Sequence, residues 1–325
     1  MIIDRLRLLA AILCIGGAFS SVLSPGRAAP GRPLTIVVPA PAGGTADVTI
    51  RTVAPKLSKI LDQSVIVENR PGGGGTIASA FVAAAKPDGA TLLMVYTSHA
   101  TNPWILDGLP YDSATAFAPV AFLGKVPLLL AVPASSSSKT AEDLIALARS
   151  KPGTLTFGSS AIGGASHLGG ELFSELTGGR ILHIGYKGGA AAGLDLATGR
   201  ISMLLDSQLA LLPHVQAGRV RILGVASATQ SVVFPQLEPI GKALPGFEAT
   251  AWFGILAPTG TPSDEVLRLN KGFNEALQDE QVRAQLIDRG FEPQVMTPTE
   301  WGAFISSETA RWGDLIKKVG LKKGQ

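Results

Sequence analysis

Three Gly-Gly turns are the residues of this 325-residue chain best placed to do chemistry. Gly43-Gly44-Thr45 follows the apolar run Ile36-Val37-Val38-Pro39 and precedes Ala46–Leu61. Gly163-Gly164-Ala165-Ser166 follows Leu155-Thr156-Phe157 and precedes His167–Leu176. Gly188-Gly189 follows Ile181–Ile184 and precedes Ala190–Ala197. A strand that feeds a glycine turn and then a helix presents unpaired N–H groups and the positive end of the helix dipole. Such a site holds an anion, here expected to be a small carboxylate, without a charged side chain.

Other candidate chemistry is weaker. Ser159, Ser160 and Ser166 lie outside any G-x-S-x-G elbow, and His167 directly follows Ser166, whereas a general base normally approaches from elsewhere in the fold. His99, His183 and His214 are further bases that read equally well as structural histidines. Asp47, in the first turn of a helix, either stabilises the dipole or braces the Gly43-Gly44 turn. Asp206 ends the apolar run Ile201–Leu205; it could accept a ligand N–H, hold water or cap the next turn. Lys187 offers a charge to the ligand or is a surface lysine. Gly72–Gly75 lacks the third glycine of a dinucleotide fingerprint, and Gly188–Gly193 lacks the Lys and Ser/Thr of a P-loop. With no H-E-x-x-H and no cysteine pair, neither a cofactor nor a metal is expected.

The elements that must position these turns alternate. Strands are expected at Leu34–Pro39, Val65–Val67 and Thr91–Tyr96, with helices at Ala46–Leu61 and Ile77–Ala85 between them. This is the signature of βαβ units and parallel sheets. Phe122–Pro133 reads as one long strand leaving the first sheet. Thr140 with Asp143 forms a capping box. Leu155–Phe157, Ile181–Ile184, Ile201–Leu205 and Val220–Ala226 build a second sheet, and Ala251–Ala257 leads back. Thr261-Pro262 and Thr297-Pro298 each cap a C-terminal helix with Pro at its first position, and Trp301, Phe304, Ile305, Trp312, Leu315 and Val319 form a core stripe on the second. Two α/β lobes joined by two crossings follow, with the ligand cleft at the strands' carboxyl ends.

The N-terminus is a separate object. Arg5 and Arg7, the apolar stretch Leu8–Phe19 and the small residues Gly26 and Ala28 form a secretory signal peptide over residues 1–29. Cys14, the only cysteine, lies within it and lacks the small preceding residue of a lipoprotein signal, so the mature chain has no thiol chemistry. The expected organisation is lobe 1 over 30–126, lobe 2 over 127–251 and the remainder of lobe 1 over 252–325. A net charge of +3 with no block of like charge argues against a nucleic-acid surface.

Eight segments in order, from TIVVPAPAGGTAD at Thr35–Asp47 through VENRPGGGGT, KPDGATLL, GLPYD, SHLGGELF, GYKG and PHVQAGRVRILGV to WFGILAPTGTP at Trp252–Pro262, resemble the Bug-type periplasmic solute receptors of tripartite tricarboxylate transporters. The resemblance spans about residues 33–320. It implies a type II periplasmic-binding-protein fold, in which two α/β lobes joined by two crossing strands close on a small carboxylate. It also implies ligand contacts from Ala42, Gly43, Gly44 and Thr45, from Ser98 and His99, from Ser159 and Ser160, from Gly164, Ala165, Ser166 and His167, and from Lys187, Gly188 and Asp206. Its implied partners are membrane permease subunits, its location the periplasm, its state a monomer. Where the family carries an aromatic, this chain has Ala40, which widens the first ligand loop, with Val95-Tyr96 partly refilling the space. Two alternatives stand beside a non-enzymatic transport receptor: a ligand sensor for a signalling partner, and an esterase-like hydrolase.

Overall fold

The computed structural model describes residues 31–321, so the expected signal peptide and Cys14 lie outside the described residues. The chain first builds β1 (Leu34–Val38), α1 (Thr45–Leu61), β2 (Val65–Asn69), α2 (Thr76–Ala83), β3 (Thr91–Tyr96), α3 (Ser98–Ile105) and β4 (Phe117–Pro127). It then crosses into β5 (Leu129–Pro133), α4 (Ala141–Ser150), β6 (Thr156–Ser159), α5 (Ala165–Thr177), β7 (Leu182–Gly185), α6 (Gly189–Ala197), β8 (Met203–Asp206), α7 (Gln208–Gln216), β9 (Val220–Val225) and α8 (Ile240–Ala243). It returns through β10 (Thr250–Pro258) to α9 (Ser263–Gln278), α10 (Glu280–Asp288), β11 (Glu292–Pro293) and α11 (Pro298–Val319). No described helix is long and apolar enough to cross a membrane.

Two sheets result, ordered β11-β4-β10-β3-β1-β2 and β7-β6-β8-β5-β9. The βαβ strands are parallel as expected: β1 with β2 and β3, β6 with β7 and β8. The crossing strands add antiparallel pairs to both sheets. β5 is antiparallel to β8 and β9, and β10 to β3 and β4. A strand arriving from the other sheet enters at the carboxyl ends of its new neighbours and must run away from them. The same geometry divides the expected single strand Phe122–Pro133. β4 begins earlier, at Phe117, and ends at Pro127; β5 starts at Leu129, because the chain changes hydrogen-bond partners there.

Side-chain alternation sends Ile36, Val38, Leu92 and Met94 to one face of the first sheet, against α1 and α9, and Val37, Leu93 and Val95 to the other, against α2 and Trp301. The second sheet is covered likewise by α4 and α5 on one face and α6 and α7 on the other. A further apolar cluster spans the lobes: Ile105 of α3, Leu168 of α5, and Trp312, Leu315 and Ile316 of α11. The capping boxes Thr140/Asp143 and Thr297/Glu300 form, the second with Pro298 at the first helical position. Thr261 is not a cap. Its hydroxyl donates to the Pro258 carbonyl at 2.7 Å, and α9 starts at Ser263 with Pro262 in the N-cap position.

Two braced helix starts at the interlobe cleft

The first two Gly-Gly turns are built alike on opposite lobes. In the first, Gly43 has φ +80°, Gly44 donates its N–H to the Pro41 carbonyl at 3.3 Å, and the Gly44 carbonyl accepts the first bond of α1 from Val48. In the second, Gly163 has φ +72°, Gly164 donates to Ala161 at 3.2 Å, and its carbonyl accepts from Leu168 to begin α5. The N-cap residues match in conformation, φ −75° and ψ 166° at Gly44 against −77° and 169° at Gly164. In each turn the N–H of the left-handed glycine is held by the side chain four residues on. Gly43 donates to Asp47 Oδ2 at 2.9 Å, and Gly163 to His167 Nδ1 at 3.0 Å.

The braces leave the next N–H groups, Thr45 and Ala46 on α1, Ala165 and Ser166 on α5, beyond the reach of any i−4 carbonyl. The lobes meet at these starts: Thr45 Oγ1 lies 3.2 Å from Ser207 Oγ, and Thr101 Oγ1 of α3 donates to the Gly163 carbonyl at 2.7 Å. Nothing in the sequence singles out Thr101 or Ser207. Both belong to helices, or helix starts, that carry Pro103 or Pro213 and gave no helical signal.

The Asp47 carboxylate also accepts from Arg51 Nε at 2.8 Å and Asn69 Nδ2 at 2.9 Å. Burial alone would raise its pKa, but the bonds from Gly43, Asn69 and Arg51 outweigh burial and hold it below the ordinary 3.8. Its stabilisation is therefore complete above the unfolded value and is lost as pH falls through the folded one. Asp47→Asn is expected to cost about 1–3 kcal/mol at neutral pH, the range for disrupting buried bonds to a charged group. Urea unfolding should show the gap from wild type shrinking at pH 2.5; an equal gap at both pH values would remove the carboxylate charge as its source.

The other candidates divide. The Ser166 hydroxyl donates to the Leu205 carbonyl at 2.5 Å, and the Ser98 hydroxyl to the Gly74 carbonyl at 3.0 Å, so both tie elements together. His99 is buried edge-on to Phe117 with centroids 5.5 Å apart, and burial pulls its pKa down to about 4. Ala42 is exposed at the first turn and Lys187 on the rim of the third. In that third turn Gly188, at φ +110°, donates to the Ser160 carbonyl at 2.9 Å, and Asp206 lies against Gly189.

Behind the second turn, His183 Nε2 lies 2.6 Å from Ser159 Oγ, and its ring stacks on His167 at 3.9 Å. A Ser–His pair at that distance is what a hydrolase needs. Ser159 is fully buried, and burial together with His167 draws the His183 pKa down to about 4, which makes this imidazole a weak base at neutral pH. His167, Glu171 and His183 bring ligand-type atoms within 4.8 Å of one another. They do not fit a metal. His167 Nδ1 accepts from Gly163, so the ring proton sits on Nε2, 3.5 Å from Glu171 Oε1, where a lone pair would be required.

Residues 49–321 match the model of the tripartite tricarboxylate transporter family receptors. The chain belongs to that receptor family. A protein of R. palustris, Rpa4515, solved with adipate, is 37% identical and superposes with a TM-score of 0.84, covering 90% of this chain and 99% of that one. The periplasmic binding protein BugD is 30% identical with a TM-score of 0.81, over 91% of this chain and 100% of its own. MatC of Rhodopseudomonas palustris, solved with malate, is 29% identical with a TM-score of 0.78, over 89% and 100%. In this chain Ala40 is accompanied by Tyr96, whose hydroxyl donates to the Pro39 carbonyl at 2.9 Å and whose pKa burial pushes up to about 12. The phenol packs with Ala40 against the same core cluster.

Proposed function

We propose that this receptor captures a small organic carboxylate between its lobes in the periplasm and delivers it to the membrane permease subunits of a tripartite transporter, without chemistry on the ligand. The observation that carries the reading is the pair of matched, braced helix starts facing one cleft from opposite lobes. A carboxylate accepting from Thr45 and Ala46 on one side and from Ala165 and Ser166 on the other joins the lobes, and so favours their closed arrangement. Hydrogen bonds to a charged group contribute ~1.5–3 kcal/mol each, enough for micromolar binding by four of them after ordering costs. The relatives solved with adipate and malate support a carboxylate ligand.

Thermal unfolding against mono-, di- and tricarboxylates, aromatic acids and amino acids tests this. A site ligand at 100 times its Kd adds ~2.7 kcal/mol of stability. A set in which no carboxylate raises the Tm overturns the proposal.

A further inference from the structure

Asp206 is a buried polar group beside the third turn that the carboxylate grip does not use. It ends β8 and is 6% exposed. Its Oδ1 accepts from the Ser207 N–H at 2.7 Å, with the Ser207 hydroxyl at 3.4 Å. Its Oδ2 is buried and has no hydrogen-bond partner. That oxygen stands 3.1 Å from where a Cβ on Gly189, the first residue of α6, would lie, and the Ser160 side chain is close by. Ser207 reaches Thr45 of the opposite lobe, so the carboxyl group sits between the first turn and the third.

A buried acceptor left without a donor is costly, and each one in a native structure calls for an explanation. The α6 start also already faces a carboxyl group of the protein, so a second anion there would meet like charge. Resting on the receptor reading above, we infer that the ligand is bipolar. Its carboxylate lies on the α1 and α5 starts, and a hydroxyl or ammonium further along its chain donates to Asp206 Oδ2. A dicarboxylate satisfies this oxygen only when its far carboxyl carries a proton. Burial pushes the Asp206 pKa up to about 6 against the lowering effect of Ser207 and the nearby Ser160 hydroxyl, which agrees with a carboxyl group whose Oδ2 accepts no hydrogen bond.

Isothermal titration at pH 8 with matched acids decides it: butanoate, 4-hydroxybutanoate, 4-aminobutanoate and succinate, then the corresponding six-carbon set. In at least one length, a hydroxy or amino acid is expected to bind about tenfold or more tightly than its unsubstituted parent, as a bond to a charged acceptor allows. Asp206→Asn places an amide donor at the open position. It should cost the amino acid about tenfold or more and improve the dicarboxylate. Equal binding of parent and donor-bearing acids in wild type, or an unchanged ranking in Asp206→Asn, overturns this inference while the receptor reading stands. Failure of every acid to bind removes both.

Discussion

Gly44→Val and Gly164→Val should each abolish stabilisation by a bound carboxylate while leaving the unliganded receptor folded. Both residues have extended backbone that any amino acid adopts. A Cβ at Gly44 meets only the Pro41 carbonyl, at 3.4 Å, and one at Gly164 only atoms of Ala161, the nearest at 3.3 Å. The added methyl groups crowd the helix start, where the proposed ligand must approach backbone N–H groups. Losing two charge-assisted bonds costs about 3 kcal/mol or more, which is over a hundredfold in Kd. Calorimetric titration with whichever acid raises the wild-type Tm, alongside melting of the free variants, checks both halves. Undiminished affinity in the two variants would exclude these helix starts as the grip. The neighbouring glycines behave differently. Gly163 combines positive φ with a Cβ position 2.3 Å from Ile105 Cδ1, so Gly163→Ala strains the turn itself and is a poor probe of binding.

The largest effect on stability is expected from Glu308→Ala, about 3–5 kcal/mol. Glu308 Oε2 accepts from the indole N–H groups of Trp252 and Trp312, each at 2.8 Å, and Oε1 accepts from Arg311 at 3.2 Å. Both indoles are buried, Trp252 on β10 and Trp312 in the cluster between the lobes. Removing the carboxylate strands two buried donors, at roughly 1–3 kcal/mol each, and leaves a void beside the rings. Glu308→Gln keeps one acceptor oxygen and should lose less than half as much. Urea denaturation of the three proteins measures this directly; Ala and Gln variants of equal stability would show that packing, not the indole bonds, sets the cost.

Several of these arrangements are legible along the chain because they are local. The two Thr capping boxes pair residues three apart. The C-terminal aromatic stripe follows helical spacing, and the βα alternation follows from apolar runs broken by glycine. The helices α3 and α7 were not legible. Each carries an internal proline and lacks a side-chain cap, and each forms because tertiary packing outweighs weak local preference. With them went Thr101 and Ser207, the residues that touch across the cleft. Phe122–Pro133 reads as one strand because nothing in an apolar run marks where hydrogen-bond partners change sheets.

The candidate site divides along the same line. Residue types alone place Gly-Gly pairs between strand and helix, and so determine where a helix start can approach an anion: a missing side chain and a tolerated positive φ are properties of the residue. Which N–H groups remain for a ligand is decided by folding. Gly43 and Gly163 lie within the turns and yet donate to Asp47 and His167, and Ser166 sends its hydroxyl to Leu205. Asp206 keeps an oxygen without a partner only because β8 ends against the start of α6. Hydrogen-bond partners are chosen in space, often far apart in the chain, as Thr45 with Ser207 and Thr101 with Gly163 show. The sequence by itself therefore determined the two kinds of lobe and their glycine-built helix starts, and only the tertiary structure decided what those starts have left to offer a ligand.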